Sequence, residues 1–364
     1  MKLKVKTSIL KDLVNKAIKA STNNKMIPLT SLISIVLDNG KLSLTASDAV
    51  NFFTVSENDI DGESFSVVVK CDLFSKIVSK TTSETISLEL SENSLIFKGN
   101  GEYKIDLPLD EEGKLITFPV ITINSDVTKR GSIKLSAIKS AILANKPSLA
   151  VTQEAPYLMN YLCTENSIIS ADSFNICINS VKTFDEPVLI PPIVFDLLSM
   201  FDSEDINYEV SDRIIVFTSP KMRLYTKTML GLEDYPVDSI KNLGETSLPS
   251  KCTLSKKALV NILDRLSLFI TDFDINGVYL TFTNEGVKIT STNSTASELI
   301  PYQESENFAP YTCLVSVETL KKQVLARTGE LVRIEYGIQN AIKLVDTNTI
   351  QIVALLDDND EEEE

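Results

Sequence analysis

The chain contains no histidine. That removes the Ser-His-Asp and Cys-His nucleophile systems, the His-Glu-x-x-His zinc site and the commonest general base near neutral pH. The five cysteines, Cys71, Cys163, Cys177, Cys252 and Cys313, are scattered without a C-x-x-C pair. Their odd number and spread fit buried thiols in a reducing compartment better than disulfides or a metal site. Neither G-x-x-x-x-G-K-[ST] nor G-x-G-x-x-G occurs, and with 12 glycines phosphate-cradling loops are scarce. Lysine, tyrosine and carboxylate chemistry remain. Asp48 and Asp172 recur in similar settings, with Asn293 in a third. A hydrolase or transferase using these acids is one reading. A turn role is the better one, because an Asx side chain at a strand end bonds its own backbone two residues on. No cofactor, no metal and no catalytic residue is expected.

The elements that must position these residues come in threes. Asn39–Asp48 (NGKLSLTASD), Glu165–Asp172 (ENSIISAD) and Asn284–Asn293 (NEGVKITSTN) each run from a polar turn through an alternating strand to a small polar step. A second hairpin pattern follows in each third: SENSLIFKG (91–99), SDRIIVFTS (211–219) and IQNAIKLVD (338–346). Helical spacing recurs in step. Ser8–Ala20, Leu135–Lys146 and Leu254–Arg265 open the thirds, with Ser8, Ser136 and Ser255 near their starts as N-caps would be. Asp72–Lys80, Ile193–Asp202 and Val315–Thr328 sit mid-third. A period near 120 residues is too long for a solenoid and indicates three similar α+β domains in tandem, at 1–127, 128–250 and 251–356. Lys241–Lys251 reads as a linker, and residues 357–364 as a disordered acidic tail.

The length of 364 residues suits two or three domains rather than one core. The N-terminal MKLKVKTSILKDL has no signal-peptide core and reads as an edge strand running into a helix. No apolar run approaches the roughly 18 residues of a membrane helix, so no membrane partner and a cytoplasmic location are expected. Net charge is −15, which taken alone argues against a polyanionic partner. The distribution argues otherwise. The six helical segments carry 13 basic and six acidic residues, so the rest of the chain holds the acidic excess. Lysines favour solvated helix faces anyway, but five of the six helices share the excess; Ile193–Asp202 has no basic residue.

Several segments carry a family resemblance: Lys25-Met-Ile-Pro-Leu-Thr followed by SLISIVLDNGKLSLTASD to Asp48, Tyr157-Leu-Met-Asn, Ser170-Ala-Asp, Leu189-Ile-Pro and Leu232-Glu-Asp-Tyr-Pro. With the three-domain order and the period, the chain resembles the bacterial sliding clamp, the beta subunit of DNA polymerase III, up to about Asp357. The resemblance implies three tandem domains of the DNA-clamp type, two helices each packed on antiparallel sheets, in a head-to-tail homodimeric ring around duplex DNA. Such a ring is a replicative processivity factor, not an enzyme. Its weak phosphate contacts carry no sequence information and let it slide.

On this resemblance Lys25 matches the family's basic residue before the Pro turn, and Gln153 and Tyr157 match a DNA-touching loop. Lys11, Lys76, Lys80, Lys139, Lys146, Lys321 and Lys322 join them from the helix faces. The contact region after Ile190-Pro191, basic in the family, reads Pro192-Ile193 here. The family's docking cleft, between its second and third domains, implies a site at Met159, Phe174, Ile176, Leu232, Val237, Ile352, Val353, Leu355 and Leu356. It takes linear motifs of the replicative DNA polymerase, the clamp loader and other clamp-binding-motif proteins, and the acidic tail is expected to shield it or to favour basic peptides. Dimer contacts are implied at Lys104, Ile105 and Leu107 facing Leu268 and Phe269, with Lys104 paired to Glu298. The alternative is an acidic three-domain peptide-binding scaffold without DNA encirclement.

Overall fold

The computed structural model describes residues 1–119, 121, 127, 129–211, 213–270, 276–338 and 340–357. Seven α-helices lie among them: α1 (Thr7–Ala17), α2 (Cys71–Lys80), α3 (Leu135–Asn145), α4 (Pro192–Leu198), α5 (Val237–Glu245), α6 (Lys256–Leu266) and α7 (Val317–Leu325). All strand pairing is antiparallel, in four sheets. The fold class is α+β, with strands outnumbering helices as the residue periodicities require.

The chain folds as two compact units. The first comprises Met1–Leu135 with Ile193–Thr228. In it a five-stranded sheet runs in the order Asp61–Gly62, Lys2–Lys6, Thr85–Leu90, Ser94–Lys98, Glu102–Asp106. The N-terminal KLKVK turns Leu3 and Val5 inward and its lysines outward, the period-2 pattern of a half-buried strand. An eight-stranded sheet runs in the order Lys129–Lys134, Asp205–Ser211, Ile214–Thr218, Met222–Lys227, Phe52–Glu57, Lys41–Ser47, Leu32–Asp38, Phe65–Lys70. Helix α1 buries Leu10, Leu13, Val14 and Ala17, and packs on α2 through that apolar stripe.

The second unit comprises Ser136–Pro192 with Met229–Glu364. Its nine-stranded sheet runs in the order Val188–Ile190, Tyr161–Thr164, Ser167–Ala171, Asn175–Ser180, Thr349–Ala354, Ala341–Val345, Leu331–Tyr336, Ser250–Ser255, Glu304–Glu306. A four-stranded sheet runs Ser297–Pro301, Gly286–Ser291, Gly277–Phe282, Tyr311–Ser316. Between these sheets' inner residues lies an apolar core in which the rings of Phe282 and Tyr336 stack with centroids 3.7 Å apart. Helices α6 and α7 pack on each other as α1 and α2 do.

The strands of the middle third are shared out. Four of them continue the first third's sheet in the first unit, where Met222–Lys227 pairs with Phe52–Glu57. Four more continue the last third's sheet in the second unit, where Asn175–Ser180 pairs with Thr349–Ala354. Each junction strand, Phe52–Glu57 and Asn175–Ser180, starts just after a turn closed by the repeated Asp.

Three local expectations are corrected. Helix α1 begins at Thr7 with Lys6 at its N-cap and no capping side chain; Ser8 is already helical, and the Thr7 hydroxyl donates to the Ser83 carbonyl at 2.6 Å. Ser255 does cap α6, accepting from the Ala258 N–H. The supposed linker Lys241–Lys251 holds the end of α5 and the start of the strand Ser250–Ser255. Helix α4 stops at Leu198, four residues before the end expected for it. Of the acidic tail, Asp357 is exposed and the rest lies outside the described residues.

Candidate nucleic-acid interface and docking surface

The chemistry of the repeated acids is local. Asp48 Oδ1 accepts from the Val50 and Asn51 N–H groups, and Asp172 Oδ1 from those of Phe174 and Asn175 at 2.7 and 2.6 Å. Asn293 Oδ1 accepts from the Thr295 N–H and hydroxyl. Each is an Asx turn that delivers the chain into its next strand. The five cysteines are reduced and buried. Burial pushes the thiol of Cys71 up to about 11 and those of Cys252 and Cys313 up to about 12, so none is a poised nucleophile. Among the described residues no cluster of three or more carboxylate or cysteine side chains is placed to hold a metal ion.

In the first unit, Lys76 and Lys80 are exposed one turn apart on α2, Lys11 is half-buried on α1, and Lys25 is exposed before the 3₁₀ turn Pro28–Ser31. Lys76 pairs with Asp72 at 2.7 Å, which cancels part of its field. Lys11, Lys25 and Lys80 make no ion pair among the described residues. Helix α4 buries Val194, Phe195, Leu197 and Leu198 and presents no cation.

In the second unit, Lys139, Lys146 and Gln153 are exposed. Tyr157 is half-buried in the 3₁₀ turn Pro156–Met159, its ring edge-on to Tyr235 with centroids 6.2 Å apart. Lys321 is paired with Asp264, and Lys322 with Glu318 at 2.5 Å. Neither pair was visible as such in the sequence: Lys321–Asp264 joins two helices, and the Glu318–Lys322 spacing of four is ordinary for a solvated helix.

The residues expected to line a docking cleft all belong to the second unit. Ile176, Leu232 and Val237 pack on one cluster with Leu162, Ile169, Ala171, Leu189, Tyr235 and Ile240 beneath them. Ile352 lies directly opposite Ile176 in the neighbouring strand, hence on the same sheet face. Phe174, 69% exposed, stands two residues before Ile176 at the rim, and Met159 is half-buried in its 3₁₀ turn. Alternation separates the rest. Val353 and Leu355 turn to the opposite face and join the core that contains Leu344 and Val332. Leu355 and Leu356 border a different depression, lined by Tyr279, Tyr311 and Leu314. The apolar patch is therefore Phe174, Ile176, Leu232, Val237 and Ile352.

At the proposed dimer contacts, Lys104 is exposed, but Ile105 and Leu107 are buried within their own unit. Leu268 is 81% exposed and Phe269 partly so. Glu298 is taken by Arg265 in a bidentate pair at 2.7 and 2.5 Å, so the expected Lys104–Glu298 pair finds that carboxylate engaged. Glu102–Asp106 and Ser297–Pro301 end their sheets, with no strand on their outer edges among the described residues.

Comparison with known proteins agrees with this architecture. Residues 1–113 match the model of the family described as DNA polymerase III beta subunit, N-terminal domain. No curated protein matches the sequence. Solved structures match over nearly the whole length. The DNA polymerase sliding clamp from Bacillus subtilis is 19% identical with a TM-score of 0.83, over 98% of this chain and 99% of its own. The beta subunit from DNA polymerase of Streptococcus pyogenes is 16% identical with a TM-score of 0.86, over 98% of this chain and 100% of its own. DNA polymerase III beta subunit from Thermotoga maritima is 16% identical with a TM-score of 0.81, over 98% and 99%. Residues 1–113 thus match the N-terminal domain of the DNA polymerase III beta subunit in sequence, and the chain as a whole shares the fold of the bacterial sliding clamps.

Proposed function

We propose that the chain is the protomer of a DNA sliding clamp, with the repeats 1–127, 128–250 and 251–356 as its three domains. Two copies join head to tail into a ring that encircles duplex DNA and tethers the replicative polymerase, the clamp loader and other motif-bearing partners in the cytoplasm. The role is topological and non-catalytic. One observation carries this reading. The strand after the first Asx turn pairs with the last strand of the middle third, and the strand after the second Asx turn pairs with the last strand of the final third. The strand after the third Asx turn, Ser297–Pro301, is left as an open sheet edge, as is the last strand of the first third, Glu102–Asp106. Two open edges that are repeat-equivalents of two closed junctions are complementary, and pairing them between copies closes a ring. It also removes the edge-strand hazard that each chain carries alone.

Exposed lysines on α2 and α3 and at Lys25 supply sequence-independent phosphate contacts, and the acidic remainder keeps DNA off other faces. The apolar patch around Ile176 and Ile352 takes Leu or Phe anchors of linear peptides. The ion pairs at Lys76, Lys321 and Lys322 and the cation-free α4 favour the competing reading, a peptide-binding scaffold that does not hold DNA. Solution mass with a scattering profile, then retention on nicked circular DNA before and after linearisation, separates the two. A clamp gives a two-chain particle with a central hole, retained on circles and lost from linear ends. A monomer, or equal release from both DNA forms, overturns the proposal.

A further inference from the structure

Lys343 is a lysine only 4% exposed, in the strand Ala341–Val345. Across the sheet it stands directly opposite Glu335 on one side and Ile352 on the other, and Ile352 in turn faces Ile176. Residues in direct register share a face, so the buried ammonium and the two apolar docking residues lie in one row. Its Nζ donates to the carbonyls of Leu243 at 2.5 Å, Gly244 at 3.1 Å and Thr246. Those are the terminal carbonyls of α5, which have no partner within the helix and sit at the negative end of its dipole. All three ammonium donors are thus spent on one helix end. Glu335, 7% exposed, accepts from the Leu248 N–H at 3.4 Å and pairs with Lys251 at 3.2 Å, tying down the segment that leaves α5. Gly244 lets the last turn close on the sheet: a Cβ there would stand 2.6 Å from Ile178 Cδ1.

Helix α5 needs this latch. It is nine residues long and buries only Ile240, too little apolar surface and too few turns to be stable by itself. Yet its first residue, Val237, is a wall of the apolar patch, and Ile240 is part of the cluster under it. Burial lowers the proton affinity of Lys343, and Glu335 beside it works the other way. Without partners a cation at this depth would be strongly unfavourable, so its place here is explained by what it holds.

We propose that Lys343 is a positioning residue for peptide docking: by gripping the end of α5 it fixes the wall that Val237 presents to an apolar peptide anchor. This rests on the docking reading above. The test uses the full chain, a fluorescent synthetic hexapeptide with Leu and Phe anchors, and three variants, Lys343→Met, Lys343→Gln and Ser255→Ala. Ser255→Ala removes the α6 cap, distant in sequence from the patch, and supplies a control that is less stable for another reason. Hydrogen exchange of the α5 amides is read alongside affinity. Both Lys343 variants are expected to bind the peptide roughly fivefold or more weakly and to exchange the α5 amides roughly tenfold faster, while Ser255→Ala moves neither. Wild-type affinity in the Lys343 variants, unchanged α5 exchange, or an equal loss of affinity in Ser255→Ala overturns the proposal. Failure of the wild-type chain to bind the peptide overturns the docking reading instead, and the exchange data still decide whether Lys343 holds α5.

Discussion

A single carboxylate at a strand end, present at Asp48 and again at Asp172, invites a catalytic reading. Its geometry denies it, because both oxygens of Asp172 are occupied by the backbone and side chain of the next three residues. Asp172→Ala is therefore expected to act on stability alone, by about 1–3 kcal/mol for hydrogen bonds to a charged group, with a similar loss for Asp48→Ala; urea denaturation of each variant measures it. Phe174 tests the proposed docking patch instead. Being 69% exposed it has little packing to lose, so Phe174→Ala should leave the unfolding free energy within about 0.5 kcal/mol of wild type, with little shift of the urea midpoint, while weakening binding of a Leu/Phe peptide. A midpoint that falls with the affinity would make Phe174 a packing residue. The turn residues were legible because type and position recur three times. Lys343 was not: in the pattern IQNAIKLVD it reads as an outward polar position, and nothing in the linear order says that three carbonyls from α5 converge on it.

Elements were readable in proportion to their amphipathic length. Helices α1, α6 and α7 each bury four or five residues at helical spacing and were found within a few residues of their limits. Helix α5 has one buried residue between Pro236 and Gly244 and the punctuation of a loop, and its second half, from Lys241, falls in the stretch whose composition reads as a linker. Buried polar contacts between elements were equally silent. Arg327 donates to Gln351 Oε1 at 2.9 Å and to the Leu344 carbonyl, while Gln351 donates to the Ala144 and Gln323 carbonyls. Gln351→Leu would leave Arg327 short of a partner and the two carbonyls unpaired, for an expected loss of about 2–4 kcal/mol by urea denaturation; a neutral outcome would mean water replaces the amide. The five-stranded sheet carries a pH signature. Lys98 first, then Lys2, hold the Glu89 carboxyl down at about 2 from its usual 4.5. A carboxylate with a lowered folded pKa stabilises fully above its unfolded value and loses that contribution as pH falls through the folded one. The sheet is therefore expected to loosen between about pH 4.5 and pH 2, and Glu89→Gln to flatten that part of the stability–pH curve; an unchanged slope would show that the exposed pairs contribute nothing.

At the scale of the molecule, the proposed ring makes the repeats carry more than the fold: on that proposal they predict the register in which two copies meet. In the hairpins, Lys104 occupies the place of Tyr225 and Ile352, since each is two residues beyond the first paired position of its strand: Glu102 opposite Lys98, Arg223 opposite Thr218, Ile350 opposite Val345. Burial agrees, with Ile105, Thr226 and Val353 next in line and all inward. Ser297 likewise occupies the place of Phe52 and Ile176, the first residues paired across their hairpins, at Thr290, Ser47 and Ala171. At the two closed junctions Tyr225 stands opposite Phe52, and Ile352 opposite Ile176. Lys104 of one copy is then expected opposite Ser297 of the other, with Glu298 turned to the far face, where Arg265 already holds it. A one-residue slip would invert every side chain, so the register is a sharp quantity. Opposed residues in an antiparallel pair lie about 4.5–5.5 Å apart at Cα, within the span a disulfide bridges. The chain's own five cysteines are buried and leave a low background. Lys104→Cys with Ser297→Cys should therefore oxidise to a covalent dimer held by a bond at each junction, which stays on circular DNA through high salt and leaves when the circle is cut. Lys104→Cys with Glu298→Cys should not cross-link, because those side chains point to opposite faces. If the second pair closes and the first does not, the repeat equivalence is off by one residue; if neither closes, the two open edges are not each other's partners, and the ring drawn from them fails.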